Sequence, residues 1–197
     1  MKLKYCSNFA LLALIAFSAC NNDTKNKDTS SQEVGTTSTA TAPPTHHAPA
    51  TPVEPAAPSP YIPEFTFYKV KSGISFTKAD ISTGKNSVFL LFDPSCGHCQ
   101  QEAAGLAKNF DKIKDINIYF VSMNDPALMV KFFPTFAPAL EGKENVELLY
   151  DKDQNFIQKF HVPKQFPANY VYGADGQLKT YWDGEKNIDE AIAAFIK

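Results

Sequence analysis

Runs of apolar residues separated by short polar stretches follow one another from about Tyr61 to Lys197. One of them, Val88–Phe92, is continuously apolar and bounded by polar residues, which is typical of a strand buried on both faces. We expect Ile116–Val121 to be a second buried strand. Shorter runs bounded by turn residues predict the remaining strands. These lie at Phe65–Val70, Ile74–Phe76, Val146–Tyr150, Ala168–Tyr172 and Gln177–Trp182. We expect the last two to form a hairpin about Gly173 and Gly176.

Other segments repeat their apolar residues at helical spacing. The helix expected after the first buried strand carries Ala103, Leu106, Ala107 and Phe110, and the last helix carries Ile188, Ala191, Ile192 and Phe195. We also expect a helix over Pro126–Phe136, interrupted at Pro134, and a short helix over Asn155–Phe160. Strands alternate with helices and end in a hairpin and a helix, which predicts an α/β fold: a central mixed β-sheet flanked by helices.

The first residues have the three-part pattern of a secretory signal, with two lysines, an apolar run over Leu11–Phe17 and small residues before Cys20. The run is shorter than the about 20 apolar residues that a membrane-spanning helix needs. Phe17-Ser18-Ala19-Cys20 resembles the bacterial lipobox, in which the cysteine carries the lipid and begins the mature chain. We therefore expect a lipoprotein signal at residues 1–19 and a membrane lipid anchor on Cys20. The protein would lie in the cell envelope, facing the periplasm or the cell surface. The alternative is an ordinary cleaved signal with an incidental cysteine.

A change of composition separates the signal from the folded region. From Asn21 to Pro60 the chain has no aromatic residue, leucine or isoleucine, so it cannot bury enough apolar surface to offset the entropy lost on ordering. We predict that residues 20–60 are the lipidated cysteine and a disordered, Pro-rich tether that catalysis does not need, and that residues 61–197 are the folded domain. His46 and His47 lie in the tether, and two histidines without further ligands make a poor metal site.

Charge and cysteine content limit the range of functions that the chain can have. The net charge is -2, and no basic stripe indicates a nucleic-acid partner. With Cys6 removed in the signal and Cys20 lipidated, only Cys96 and Cys99 remain as thiols. A zinc site needs about four ligands, and no second cysteine pair supplies them. A structural disulfide across so short a loop would constrain the unfolded chain little. The pair is best interpreted as a redox site that needs neither metal nor cofactor.

The pair stands where a strand gives way to a helix, in Cys96-Gly97-His98-Cys99. A helix N-terminus presents unpaired backbone N–H groups and the positive end of the helix dipole, and both stabilise a thiolate. We therefore expect Cys96 to be the reactive thiol. Cys99, three residues on, lies on the same side of the helix and can close a disulfide with it. His98 adds a titratable charge near both sulfurs.

From about Tyr61 to Lys197 the chain resembles the thioredoxin-like reductases of the TlpA and ResA type. The matching pieces are the strand Val88–Phe92, the Cys96–Cys99 motif, the stretch Gln100-Gln101-Glu102, and the segment Phe156–Leu178. The resemblance implies a thioredoxin-like fold and thiol–disulfide oxidoreductase activity through a Cys96–Cys99 redox disulfide. It also implies two kinds of partner, disulfide-containing client proteins and a membrane electron donor.

Two further site residues follow from this resemblance. The family has an active-site cis-proline directly before a strand, a position that Pro167 occupies and that Pro163 fits less well. The family also has a functional acid after the motif, which here is Glu102, because Leu90 stands where thioredoxins keep a buried acid. Burial would raise the pKa of Glu102 and suit it to proton transfer with Cys99. The alternative is a solvated helix glutamate.

Proteins with the same fold also have other functions, and the residues of this chain fit them to different degrees. Peroxiredoxins place a threonine where this chain has Asp93, and the chain has no arginine to hold a peroxide. A copper-delivery relative would space its cysteines further apart. A disulfide oxidase or isomerase would use the same motif in the opposite direction, and a tethered binding module would keep the fold without turnover. We expect reduction of client disulfides.

Overall fold

A computed structural model describes residues 56–197 of the chain. The expected signal, Cys20, the histidine pair and most of the expected tether lie outside the described residues. None of the helices within 56–197 is both long enough and apolar enough to cross a membrane.

Within residues 56–197, seven strands form one mixed sheet. They are β1 (Thr66–Lys69), β2 (Ser75–Thr77), β3 (Ser87–Leu91), β4 (Asn117–Ser122), β5 (Val146–Tyr150), β6 (Ala168–Tyr172) and β7 (Leu178–Asp183). Their order across the sheet is β2-β1-β5-β4-β3-β6-β7. The central strands β3, β4 and β5 are parallel, and the outer pairs are antiparallel. This is the mixed sheet that the sequence predicted, with no strand end shifted by more than one residue.

Five α-helices accompany the sheet in the part of the chain that the structure describes. They are α1 (Gly97–Lys108), α2 (Phe110–Ile113), α3 (Pro126–Met129), α4 (Phe132–Phe136) and α5 (Ile188–Ile196). The prediction that Pro134 interrupts the helix was wrong. The helix is interrupted between Met129 and Phe132, and Pro134 lies in the first turn of α4. A proline is tolerated there, since the first-turn N–H groups have no intrahelical acceptor. The short helix expected at Asn155–Phe160 is a π-helical turn over Phe156–Phe160.

Both faces of the sheet are buried. On one face, Leu90 and Phe120 pack against Leu106 of α1 and Phe195 of α5. The other face is lined by aromatic side chains that stack on one another, among them Phe67, Phe89, Phe156, Phe160 and Tyr172. Burial of both faces explains why the run Val88–Phe92, which contains most of β3, is continuously apolar in sequence.

The packed region begins a few residues before Tyr61. Pro58 is buried, and the amide of Ser59 donates a hydrogen bond to the carbonyl of Phe160 at 2.8 Å. The carbonyl of Pro60 accepts one from the amide of Leu178 at 2.9 Å. Ser59 and Pro60, which the sequence placed in the tether, thus hydrogen-bond to the domain through their backbone. Composition cannot reveal this, because backbone hydrogen bonds do not depend on apolar side chains.

Candidate active site

The loop between β3 and α1 is shaped by one carboxylate. Asp93 Oδ1 accepts hydrogen bonds from the Ser95 amide at 2.7 Å and the Ser95 hydroxyl at 2.6 Å. Partial burial opposes ionisation of Asp93, but these hydrogen bonds outweigh it and lower its pKa. The Asp93 carbonyl accepts from the Cys96 amide at 3.0 Å. These hydrogen bonds therefore hold the loop in one conformation, with Cys96 at the start of α1.

The two cysteines have different surroundings, and both are free thiols. Cys96 is the N-cap residue of α1 and is partly exposed. Cys99 lies within the first turn and is 0% exposed. Burial raises the pKa of the Cys99 thiol, and the neighbouring Cys96 and Glu102 raise it further. Cys96 is therefore the accessible sulfur, and Cys99 needs a proton acceptor before it can react.

Glu102 lies one turn beyond Cys99, with its side chain turned into the protein. It is only 9% exposed, so the alternative of a solvated helix glutamate does not describe it. Burial raises its pKa to about 7, against the opposing effect of a hydrogen bond from Asn169. A carboxyl group with a pKa near neutrality can both accept and return a proton.

Asn169 is the residue at this site that the sequence analysis missed. It lies on β6, is 0% exposed, and its side-chain amide donates to Glu102 Oε1 at 3.0 Å. A signal for it exists in hindsight: Asn169 is the one amide in the otherwise apolar strand Ala168–Tyr172. A buried polar side chain inside such a strand requires a partner, although the sequence does not name which.

The His98 side chain is exposed and pairs with a carboxylate from outside the motif. Its Nδ1 lies 2.8 Å from Glu185 Oε2, and both side chains are more than half exposed, at 59% and 57%. Surface pairs of this kind contribute little to stability. A cavity of about 240 Å³ beside α1 is lined by His98 and Glu185 together with Glu102 and Lys186. Glu185 follows β7, and nothing in the sequence linked it to the motif.

Pro167 lies at the same edge of the sheet as the cysteines. Of the peptide bonds within residues 56–197, only Phe166–Pro167 is cis, which agrees with the choice of Pro167 over Pro163. Ala168 pairs with Leu91, the last residue of β3, so Pro167 adjoins the loop that leads to Cys96. Its carbonyl accepts a hydrogen bond from the Gly184 amide at 2.7 Å. The partly buried Phe166 packs on the same core as Cys96.

Metal-ligating side chains do not converge in this part of the molecule. Within residues 56–197, no three His, Cys, Asp or Glu side chains are close enough together to hold a metal ion. The chemistry available at the edge of the sheet is that of a thiol pair with a buried carboxyl group.

Comparison with known proteins places this arrangement in a family. Residues 60–181 match the AhpC/TSA family. A solved structure of a secreted Mycobacterium tuberculosis disulfide oxidoreductase, described as homologous to Escherichia coli DsbE, is 25% identical with a TM-score of 0.55, covering 66% of this chain and 93% of that one. A peroxiredoxin-like protein from Aquifex aeolicus is 14% identical with a TM-score of 0.56, covering 72% and 87%. At that identity the second likeness concerns the fold alone.

A curated relative is also similar in sequence. Bloodstream-specific protein 2 of Trypanosoma brucei brucei is 28% identical over 134 residues. The match covers 59% of this chain but only 27% of that protein, so this chain corresponds to about a quarter of it. The family match, the seven-stranded mixed sheet and the structural neighbours agree. The chain has a thioredoxin-like fold and belongs to the AhpC/TSA family.

Proposed function

We propose that this protein is a membrane-tethered thiol–disulfide oxidoreductase of the TlpA and ResA type, which reduces disulfides of client proteins outside the cytoplasm. The observation that carries the proposal is the difference between its two thiols. Cys96 is accessible at a helix N-terminus, whereas Cys99 is buried one turn before a buried carboxyl group. An accessible nucleophile with a protected resolving thiol is what a two-step exchange requires.

In the first step the Cys96 thiolate attacks one sulfur of a client disulfide. A Cys96–client disulfide forms, and the other client sulfur leaves as a thiolate that takes a proton from solvent. The positive end of the α1 dipole stabilises the attacking thiolate. The partly buried Phe166 and the buried Pro167 border the site where the client chain would lie.

In the second step the Cys99 proton passes to the ionised Glu102 carboxylate, and the resulting thiolate attacks Cys96 Sγ. The Cys96–Cys99 disulfide forms, the client sulfur leaves as a thiolate and is protonated, and the client has gained two electrons. Burial makes Cys99 a weak acid, so this step gains most from a base whose pKa lies near 7. A membrane electron donor would then supply two electrons to the Cys96–Cys99 disulfide.

The experiment is reduction of insulin by the full chain with dithiothreitol as electron source. We expect activity in the wild type and none in Cys96→Ser, while Cys99→Ser should trap Cys96 in a mixed disulfide. Lys108→Ala, at an exposed position near the end of α1, is the control. Absence of insulin reduction by a folded, reduced wild-type chain would refute a reductase. The reduction potential of the Cys96–Cys99 pair would then distinguish an oxidase or isomerase from a binding module.

A peroxidase is the second candidate, because the match to the AhpC/TSA family favours it. The residues around Cys96 favour it less. Asp93, at the position of the peroxiredoxin threonine, uses its Oδ1 to hold Ser95, and the chain has no arginine. Consumption of hydrogen peroxide by the reduced chain, measured beside insulin reduction, tells the two apart. Faster turnover with peroxide than with insulin would favour the peroxidase.

The proposed anchor is testable separately. Cells that make the protein are labelled with a fatty acid, and the label should appear in the wild type and disappear in Cys20→Ser. The wild type should also partition with membranes. Label that persists in Cys20→Ser, or its absence from the wild type, would contradict lipidation at Cys20 and leave the redox chemistry of the domain untouched.

A further inference from the structure

The carboxyl group of Glu102 is held from one side only. Asn169 Nδ2 donates to Oε1 at 3.0 Å. The other oxygen, Oε2, is buried and has no hydrogen-bond partner within residues 56–197. The two oxygens of one carboxyl group therefore have distinct surroundings, and only Oε2 retains its full capacity to accept a proton.

Asn169 reaches Glu102 because of its register in the sheet. It pairs with Leu90 on β3 and with Trp182 on β7, and directly opposed residues share one face of a sheet. Leu90 packs into the core beneath α1, so Asn169 faces the same helix. Leu90 stands where thioredoxins keep their buried acid. Here the neighbouring strand instead supplies a neutral amide that holds an acid carried by the helix.

The cost of burying Asn169 argues against a purely structural role. Its side chain is fully buried, and its own Oδ1 has no partner within the described part of the chain. An apolar residue of similar size would avoid this desolvation cost. The amide makes one side-chain hydrogen bond, and that bond goes to Glu102.

We propose that Asn169 is a positioning residue: it holds Glu102 through Oε1, so that Oε2 is the atom that takes the proton from Cys99. The inference rests on the proposed exchange reaction for its chemistry, and on the Asn169–Glu102 contact for its geometry. The transfer is balanced. The Cys99 S–H bond breaks and an O–H bond forms at Oε2. The sulfur electron pair forms the bond to Cys96 Sγ, the Cys96–client disulfide breaks, and the client sulfur leaves as a thiolate.

The test measures the Glu102 carboxyl directly, by carbon-13 NMR titration of the full chain. A hydrogen bond to an ionised group favours ionisation, so Asn169→Leu should raise the pKa of Glu102 by about 1 unit. At pH 7 the ionised fraction would fall from about one half to about one tenth. Resolution of a preformed Cys96–client disulfide should then slow about fivefold, and the acidic limb of its pH profile should move upward.

Two controls separate this effect from a loss of packing. Asn117 is a buried asparagine at the start of β4, 3% exposed, whose amide donates to Ser82 and Ser87. Asn117→Leu removes a similar buried amide, and we expect the wild-type pKa of Glu102 and the wild-type pH profile in it. Adding Asn169→Leu to Glu102→Gln should cause no further slowing, because the partner is already changed.

The outcomes distinguish the two proposals. If Asn169→Leu raises the pKa of Glu102 but the wild type reduces no client disulfide, the pairing stands and the proposed function fails. If Asn169→Leu leaves the Glu102 titration at its wild-type position, the positioning role is overturned even when client reduction is normal. If the Asn169→Leu variant does not fold, the contact between Asn169 and Glu102 can still be tested in the wild type. The Asn169 side-chain N–H resonances must shift with the titration of Glu102, and their failure to do so overturns the pairing.

Discussion

At the scale of single residues, the central feature is that two cysteines of one motif lie in different environments. Cys96 caps α1 and is partly exposed, whereas Cys99 is fully buried in the core. Sequence spacing places both on one side of a helix but does not distinguish their exposure. The difference arises because the first residues of α1 project beyond the edge of the sheet while Cys99 faces the core side chains.

This asymmetry predicts selective modification. Brief treatment of the reduced chain with iodoacetamide at mildly acidic pH should alkylate Cys96, and Cys99 should react only after unfolding, since burial raises its pKa and blocks access. Peptide mass spectrometry measures the two positions. Equal labelling of both cysteines in the folded protein would contradict the assignment.

Glu102 gives the second prediction at this scale. Glu102→Gln keeps the side-chain shape but removes the base, so resolution of the mixed disulfide should slow by about 100-fold or more. Cys96–client disulfides should accumulate, and the rate should lose the pH step near 7 that Glu102 contributes. Stopped-flow measurements between pH 5 and 9 would show this. A rate close to that of the wild type at every pH would exclude proton transfer through Glu102.

The same carboxyl group makes stability depend on pH. Burial raises its pKa from 4.5 to about 7 in the folded protein, so the folded state retains a proton that the unfolded chain releases. The resulting stabilisation is complete below pH about 4.5 and is lost as the pH rises through about 7. Relative to the wild type, Glu102→Gln should therefore be more stable at pH 8 than at pH 4, by up to about 3 kcal/mol.

Urea unfolding at the two pH values measures this difference, with the fluorescence of Trp182, the single tryptophan, as the signal. Glu144→Gln, at an exposed position, is the matched control. An equal effect of Glu102→Gln at both pH values would mean that Glu102 does not titrate differently in the folded and unfolded states.

At the scale of elements, α1 is held in place by close contact with α5. Gly105 of α1 faces Ile188, the first residue of α5, and a Cβ at Gly105 would lie 2.7 Å from Ile188 Cγ1 and 2.9 Å from Cδ1. The φ of Gly105 does not require glycine. Glycine is therefore present for close approach of the two helices, which keeps the active-site helix against the sheet.

Gly105→Ala should consequently destabilise the protein by about 1–2 kcal/mol, because the clash outweighs the gain in helix propensity. In an Ile188→Ala background the clashing atoms are absent, and the same substitution should stabilise by up to about 1 kcal/mol. Chemical denaturation of the four proteins forms a double-mutant cycle. Additive effects would show that the two helices do not meet at this position.

At the scale of the whole molecule, the folded unit extends into the segment whose composition predicts a tether. Pro58 is buried, and the backbone of Ser59 and Pro60 joins the π-helical turn to β7. The phenol of Tyr172 also donates to the carbonyl of Ser59 at 3.2 Å. Residues 58–60 therefore lie beside the hairpin of β6 and β7.

A chain that begins at Tyr61 should then be less stable than one that begins at Ala56, by about 2–3 kcal/mol, because it lacks these hydrogen bonds and the buried proline. Both should contain the complete thiol site and reduce insulin at similar rates. Urea unfolding compares the stabilities, and an insulin assay compares the activities. Equal unfolding free energies would show that residues 58–60 contribute nothing.

The choice of Glu102 and Pro167 followed from the resemblance to thioredoxin-like reductases. The sequence by itself also determined the order of strands and helices, and the thiol pair with its place at a helix start. These features depend on local periodicity, on the spacing of residues along one helix and on a motif that is contiguous in the chain. The position of the helix break near Pro134 was misjudged, because the sequence does not distinguish a proline in the first turn of a helix from a proline that ends one.

Only the tertiary structure decided which residues that are far apart in the chain contact one another. Asn169 meets Glu102 across 67 residues of chain, and Glu185 meets His98 through the loop after β7. Ser59 and Pro60 hydrogen-bond to Phe160 and Leu178, about 100 residues further along the chain. Each contact depends on the register of paired strands and on how a helix packs over them. Such register is set by the packing of the whole core, because shifting a strand by one residue would turn every one of its side chains to the opposite face.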